Sequence, residues 1–255
     1  MNIHDLMVKQ GGFLFKWRSF IPLLLIFPAI IALSHSEMIE DVLGDSVEDA
    51  LVFVSYLISL CGLAIRWYTV GTVPPGTSGR NTKEQRADSL NTTGMYSIVK
   101  NPLYLGNFIV ILGVLLSFKV WWFILIGSMA YWIYIERIIA TEERYLAQKF
   151  GDDYTSWAVK TPFFFPKFSL WQKPDRPFNL KKVLRAEYNG VMVVGSAFLV
   201  IEFIADILFE REPFFFWLKD DWFWPFQFVV SSAIFGVLRY LKKRTTILNP
   251  SPDIG

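Results

Sequence analysis

Six apolar stretches, each close to the length of a bilayer-spanning helix, constrain this chain more than any other feature. They run at about residues 14–34, 50–70, 103–118, 120–139, 189–209 and 222–241. A helix of about 20 residues crosses roughly 30 Å of hydrocarbon. Backbone groups in lipid must pair internally, so such stretches read as helices. With 53% hydrophobic and 19% charged residues, the chain is too apolar for an ordinary soluble domain. The expected fold is all-α: a polytopic transmembrane helical bundle of about six spans.

The charges between the spans give an expected orientation. Residues 35–49 carry Glu37, Glu40, Asp41, Asp45, Glu48 and Asp49 and no Lys or Arg. Basic residues collect elsewhere: Arg80, Lys83, Arg86 and Lys100 after span two, nine Lys and Arg over 144–185, and Arg239, Lys242, Lys243 and Arg244 at the end of span six. Basic loops stay in the cytoplasm. Both termini and the chemistry are therefore expected inside, in a bacterial inner membrane or the endoplasmic reticulum, with the acidic loop outside. Trp67, Tyr68, Trp121, Trp122, Trp222 and Trp224 sit near span ends, as in an aromatic belt. His4, His35 and Cys61 lie far apart, so no His/Cys metal site is expected, and Cys61 reads as a packing residue. The partners expected are the bilayer and a membrane lipid or lipid-linked substrate, with no nucleic acid; oligomeric state is not encoded legibly.

Only Ser117, Phe118 and Lys119 separate spans three and four, which must form a tight antiparallel hairpin. The residues before span three and after span four then meet at one face, and both places hold unusual chemistry. The first is Gly94-Met95-Tyr96-Ser97-Ile98-Val99-Lys100-Asn101-Pro102-Leu103-Tyr104-Leu105-Gly106-Asn107. Pro102 suits a first helical turn, with Asn101 as N-cap. Free amides at a helix start can hold a carboxylate or phosphate. Gly106 permits close approach, either of a ligand or of a neighbouring helix. The second place is Glu136-Arg137, then Thr141-Glu142-Glu143-Arg144-Tyr145-Leu146 and Phe150-Gly151-Asp152-Asp153-Tyr154. Charges near a membrane boundary tend to face the bundle interior or a cavity.

Together the patterns G-x-Y-x-x-x-(K/R)-(H/N)-P-x-Y-x-G and E-E-x-x-L-x-x-x-F-G-x-x-Y, from about Gly94 to Pro166, resemble the isoprenylcysteine carboxyl methyltransferase and phospholipid methyltransferase superfamily. The resemblance implies an enzyme transferring a methyl group from S-adenosylmethionine to a lipid or lipid-linked carboxylate, phosphate or amine. It also implies a cofactor held under a cytoplasmic cap by Lys100, Asn101, Pro102, Tyr104, Gly106, Glu142 and Glu143. Asn101 stands where many relatives carry His, and Asn cannot titrate near neutral pH. Arg137 is the candidate to orient an anionic acceptor through its bidentate fork, or else pairs with Glu136, Glu142 or a lipid phosphate. Alternatives are an NADPH-dependent membrane sterol or lipid reductase and a non-catalytic scaffold. The expected division is a transmembrane pair to 70, a methyltransferase-like core over 71–166, a basic linker over 167–188, and a second pair from 189 onward.

Overall fold

The computed structural model describes residues 3–17, 21–35, 42, 44–74, 77 and 87–249. Arg80, Asn81, Thr82, Lys83 and Arg86, together with Glu37, Glu40 and Asp41, lie outside the described residues. The described chain is predominantly helical, without strands: α1 (Ile3–Trp17), a 3-10 turn (Ile21–Leu25), α2 (Ile26–Leu33), α3 (Asp45–Thr72), α4 (Met95–Ile98) and α5 (Pro102–Leu116). It continues through α6 (Trp121–Phe150), α7 (Asp152–Lys160), α8 (Leu180–Glu187), α9 (Gly190–Ile204), a π-helical turn (Ala205–Phe209), α10 (Phe214–Asp220) and α11 (Phe223–Arg244). It is a helical membrane bundle.

Among the described residues, three helices are long and apolar enough to cross a membrane: Ser46–Thr72, Trp121–Phe150 and Gly190–Phe209. Two shorter apolar helices, Leu23–Leu33 and Pro102–Leu116, run alongside them. The expected first span, 14–34, is not one helix. A helix ends at Trp17, and a 3-10 turn holding Pro22 leads into α2. Proline has no amide hydrogen to continue an α-helical ladder.

The antiparallel runs place two polar ends on the bundle. At one end Asp5 of α1 meets Arg144 of α6, Lys182 of α8 donates to the carbonyls of Val73 and Pro74 after α3, and Lys242 of α11 lies over the Tyr188 ring. At the other end Ala32 and Leu33 pack with Leu115, Phe118, Val120 and Phe123 around the α5–α6 turn. In that turn Lys119 takes a positive φ of 61° and pairs with Glu48 of α3. The tight hairpin expected from the short Ser117–Lys119 connection is present.

Small residues bring the helices together. A Cβ on Gly62 of α3 would come within 2.6 Å of the Gly106 carbonyl oxygen on α5, and one on Gly106 would come within 2.9 Å of the Gly62 carbonyl oxygen. Ser59 on the same face of α3 donates to the Val110 carbonyl at 2.9 Å. Lipid tails are as apolar as side chains, so helices in membranes associate through such close backbone packing. Gly11 plays the same part between α1 and α6, where an added Cβ would strike the Arg137 carbonyl and the Thr141 hydroxyl.

Candidate active site

Residues 87–101 and 150–179 wrap one another over the first polar end. The Lys100 amide donates to the Pro162 carbonyl at 2.8 Å, and the Lys167 amide donates to Ile98 at 3.0 Å. Gly94, at φ 60°, donates its amide to Gln172 at 3.0 Å, and the Trp157 indole donates to the Tyr96 carbonyl at 3.0 Å. Beneath them Ile98, Val99, Leu105, Ile135, Ile139 and Phe164 form one buried cluster. This apolar floor fixes the start of α5 against the last turns of α6.

The hairpin thereby brings the two sequence blocks into contact. The Tyr104 hydroxyl donates to Glu142 Oε1 at 2.7 Å. Lys100 Nζ lies 3.1 Å from Glu143 Oε1 and 5.6 Å from the Phe163 ring centroid. Pro102 occupies the first turn of α5, as expected. Asn101 stands at the N-cap position but makes no side-chain cap. Its amide instead donates to the Phe163 carbonyl at 3.3 Å, turned towards the loop by an unusual backbone (φ −125°, ψ 58°). Beside the Lys100–Glu143 pair opens a groove of about 400 Å³ lined by Glu143, Arg144, Ala147, Gln148 and Tyr154.

The packing gives two of the expected site residues particular neighbours. Gly106 faces α3, not open space: a Cβ there would meet the Arg66 side chain at 2.6 Å as well as the Gly62 backbone. Arg137 points away from the contact between the blocks. Its Nε donates to Gln10 of α1 at 3.0 Å and its Nη1 pairs with Glu136 at 2.5 Å. At 3.6 residues per turn, Arg137 and Glu142 are roughly 140° apart around α6, which explains why one reaches α1 and the other α5.

Besides Lys100, a second basic residue reaches this region: Arg66, on α3. Its Nε and Nη2 donate to Glu187 of α8 at 3.0, 2.8 and 2.9 Å, engaging both carboxylate oxygens. Its Nη1 donates to Asn107 Oδ1 on α5 at 2.6 Å. The Glu187 side chain is only 3% exposed, so this is a buried pair. Burial first, and then the negative Glu142, push the Tyr96 phenol above the ordinary tyrosine range, while Arg66 pulls it the other way. Tyr96, Arg66 and Glu142 therefore belong to one electrostatic environment. Burial and Glu143 likewise raise Tyr154. Sequence reasoning missed Arg66 and Glu187. The available signal was a single arginine inside the apolar stretch 50–70, since an ionisable residue in a membrane span marks a functional-site candidate.

The same segment is similar to a known family. Residues 52–153 match the family model of phospholipid methyltransferases. The cobalt-zinc-cadmium resistance protein CzcN of Cupriavidus metallidurans is 30% identical over 131 residues, covering 51% of this chain and 58% of that protein. The protein-S-isoprenylcysteine O-methyltransferase of Schizosaccharomyces pombe is 34% identical over 85 residues, 33% of this chain and 36% of that protein. The nickel-cobalt-cadmium resistance protein NccN of Alcaligenes xylosoxydans xylosoxydans is 29% identical over 137 residues, 53% of this chain and 62% of that protein. The chain thus spans less than two thirds of each relative's length. No solved structure matches it significantly.

Proposed function

We propose that this membrane protein transfers a methyl group from S-adenosylmethionine to a lipid or lipid-linked acceptor, a reading supported by the match of residues 52–153 to the phospholipid methyltransferase family model and by the similarity to an isoprenylcysteine methyltransferase. The observation that carries this reading is the pairing of the two sequence blocks: Tyr104 with Glu142, and Lys100 with Glu143. It sets two carboxylates, an ammonium and an amide at the start of one helix and the end of its hairpin partner. The S. pombe relative, named as a methyltransferase acting on isoprenylcysteine, supports the reaction class.

The donor set fits a zwitterionic amino-acid group. Glu142 and Glu143 would hold its ammonium, while Lys100 and Asn101 would hold its carboxylate, next to the amides at the start of α5. Bound there, S-adenosylmethionine supplies an electrophilic methyl group. Tyr104 fixes the Glu142 carboxylate, and Pro102 fixes the direction of the helix start. Gly106 acts indirectly, by letting α3 approach so that Arg66 reaches Asn107. An acceptor that is already anionic needs no general base, which suits an Asn at position 101. Positioning and exclusion of water then supply the acceleration. We assign Arg66 and Glu187 as positioning residues that lock α3, α5 and α8 around this end. Arg137 takes no part in this reading. The acceptor would enter from the bilayer, because leaving its tail in lipid avoids a cost of about 0.8 kcal/mol per CH₂.

The test is direct. Purified protein in detergent should bind S-adenosylmethionine in calorimetry, and labelled cofactor should transfer its methyl group to one component of a total lipid extract. Binding of NADPH in its place would indicate reductase chemistry and end the proposal.

A further inference from the structure

The opposite end of the bundle carries a second concentration of chemistry, outside the segment that matches the family model. Asp206, Glu212 and Asp221 each present a carboxylate oxygen, and these oxygens all lie within 4.8 Å of one another. Asp206 is buried and the other two are half-buried. The chain between them folds back on itself to make the meeting possible. Helix α9 widens into a π-helical turn at Ala205–Phe209, the Glu212 amide donates to the Asp206 carbonyl at 2.9 Å, and the Trp217 indole donates to Asp206 Oδ2 at 2.8 Å. The Asp221 amide closes the loop on the Trp217 carbonyl at 2.8 Å.

A fourth carboxylate points to a ligand independently. Glu202 stands one turn before Asp206 on the same face of α9, is only 5% exposed, and its Oε1 is buried with no hydrogen-bond partner. The charges of Asp206 and Asp221 act on it. Lys119 is in electrostatic range of Glu202 and Asp206, and it also pairs with Glu48. A buried acceptor without a donor, facing further carboxylates, is an arrangement that a cation satisfies.

We propose that Asp206, Glu212 and Asp221, with Glu202 behind them, form a binding site for a hard divalent cation of calcium or manganese size. The donors are all oxygen, which suits hard ions and not the thiolate-seeking or imidazole-seeking metals. Separations of at most 4.8 Å let all three oxygens reach one calcium ion, whose oxygen ligands stand about 2.3–2.6 Å away. The site is built from carboxylates, so the absence of a His/Cys constellation does not bear on it. The ion would tie the end of α9 to the loop leading into α11, and so fasten these two helices together.

The experiment uses the full chain in detergent, titrated separately with CaCl₂, MnCl₂ and ZnCl₂ by calorimetry, with manganese binding also read by electron paramagnetic resonance. One equivalent of calcium or manganese should bind, with Kd at or below roughly 1 mM, the weak end of calcium modules, and should raise the unfolding temperature. Asp206→Asn and Asp221→Asn should each weaken binding at least about tenfold, one such step being about 1.4 kcal/mol. Glu212→Gln, in the loop and half-buried, is the variant least able to disturb folding and should weaken binding in the same direction. Glu202→Gln should weaken it less and should itself stabilise the metal-free protein. Three results would overturn the site: no saturable calcium or manganese binding to the wild type, unchanged binding in Glu212→Gln and Asp221→Asn together, or binding of zinc alone.

Discussion

Arg66 and Glu187, 121 residues apart in the chain, engage each other through both carboxylate oxygens at 2.8 to 3.0 Å. This pair joins α3 to α8, and through Asn107 it also reaches α5. Removing one partner of a buried pair strands the other charge, at a cost of about 3–5 kcal/mol. Arg66→Ala should therefore lower the unfolding temperature sharply and reduce methyl transfer. Arg66→Lys should recover part of the stability and less of the turnover, since a point charge cannot replace the fork that holds Glu187 and Asn107 together. Thermal unfolding in detergent alongside turnover measures both. Full turnover in a folded Arg66→Ala protein would remove its positioning role.

Tyr104→Phe and Glu142→Gln probe the contact between the two blocks. Each removes one side of a 2.7 Å hydrogen bond to a carboxylate, and such bonds contribute about 1.5–3 kcal/mol. Affinity for S-adenosylmethionine should fall roughly ten- to a hundredfold in Glu142→Gln, and less in Tyr104→Phe, where the carboxylate remains. Calorimetry distinguishes these outcomes. Equal affinities in wild type and Glu142→Gln would place the cofactor elsewhere.

Gly106→Leu tests what the glycine is for. A side chain there meets Arg66 and the Gly62 backbone, so the expected result is separation of α3 from α5 and a stability loss of at least about 1–3 kcal/mol. Gly62→Val should behave alike, because it attacks the same approach from the other helix. A Gly106→Leu protein with wild-type unfolding but no cofactor binding would mean that the glycine lines the cofactor cleft.

Arg137→Ala serves as the contrast to Arg66→Ala. The side chain holds Gln10 and Glu136 at a half-buried position. Its loss should cost on the order of 1 kcal/mol, as for a partly solvated pair, and leave turnover near normal. Abolished turnover with unchanged unfolding would restore the acceptor-orienting role that its sequence position suggests.

Orientation follows from charge. In a Cys61→Ala background, a cysteine introduced at Val42 or Ser46 should react with a membrane-impermeant reagent from outside intact cells. One introduced at Thr245, after the Lys242–Arg244 run, should react only after permeabilisation. The reverse pattern would invert the topology and move the proposed active site to the other face.

The sequence by itself determined the class of fold. Runs of apolar residues dictate helices wherever water is missing, and a three-residue connection at Ser117–Lys119 forces a hairpin. That hairpin was enough to infer that the Lys100–Asn107 block and the Glu142–Glu143 block share one end, because antiparallel neighbours with a short turn leave no other arrangement. Tertiary structure alone decided how each helix is rotated. Whether Gly106 faces a cleft or another helix, and whether Arg137 or Arg66 reaches α5, depends on angles set by contacts with Gly62, Gln10 and Glu187. Helical periodicity tells which residues share a face. It does not tell which neighbour that face meets, because the steric and electrostatic partners that fix the rotation are distant in sequence: Gly62 lies 44 positions before Gly106, and Glu187 lies 121 positions after Arg66.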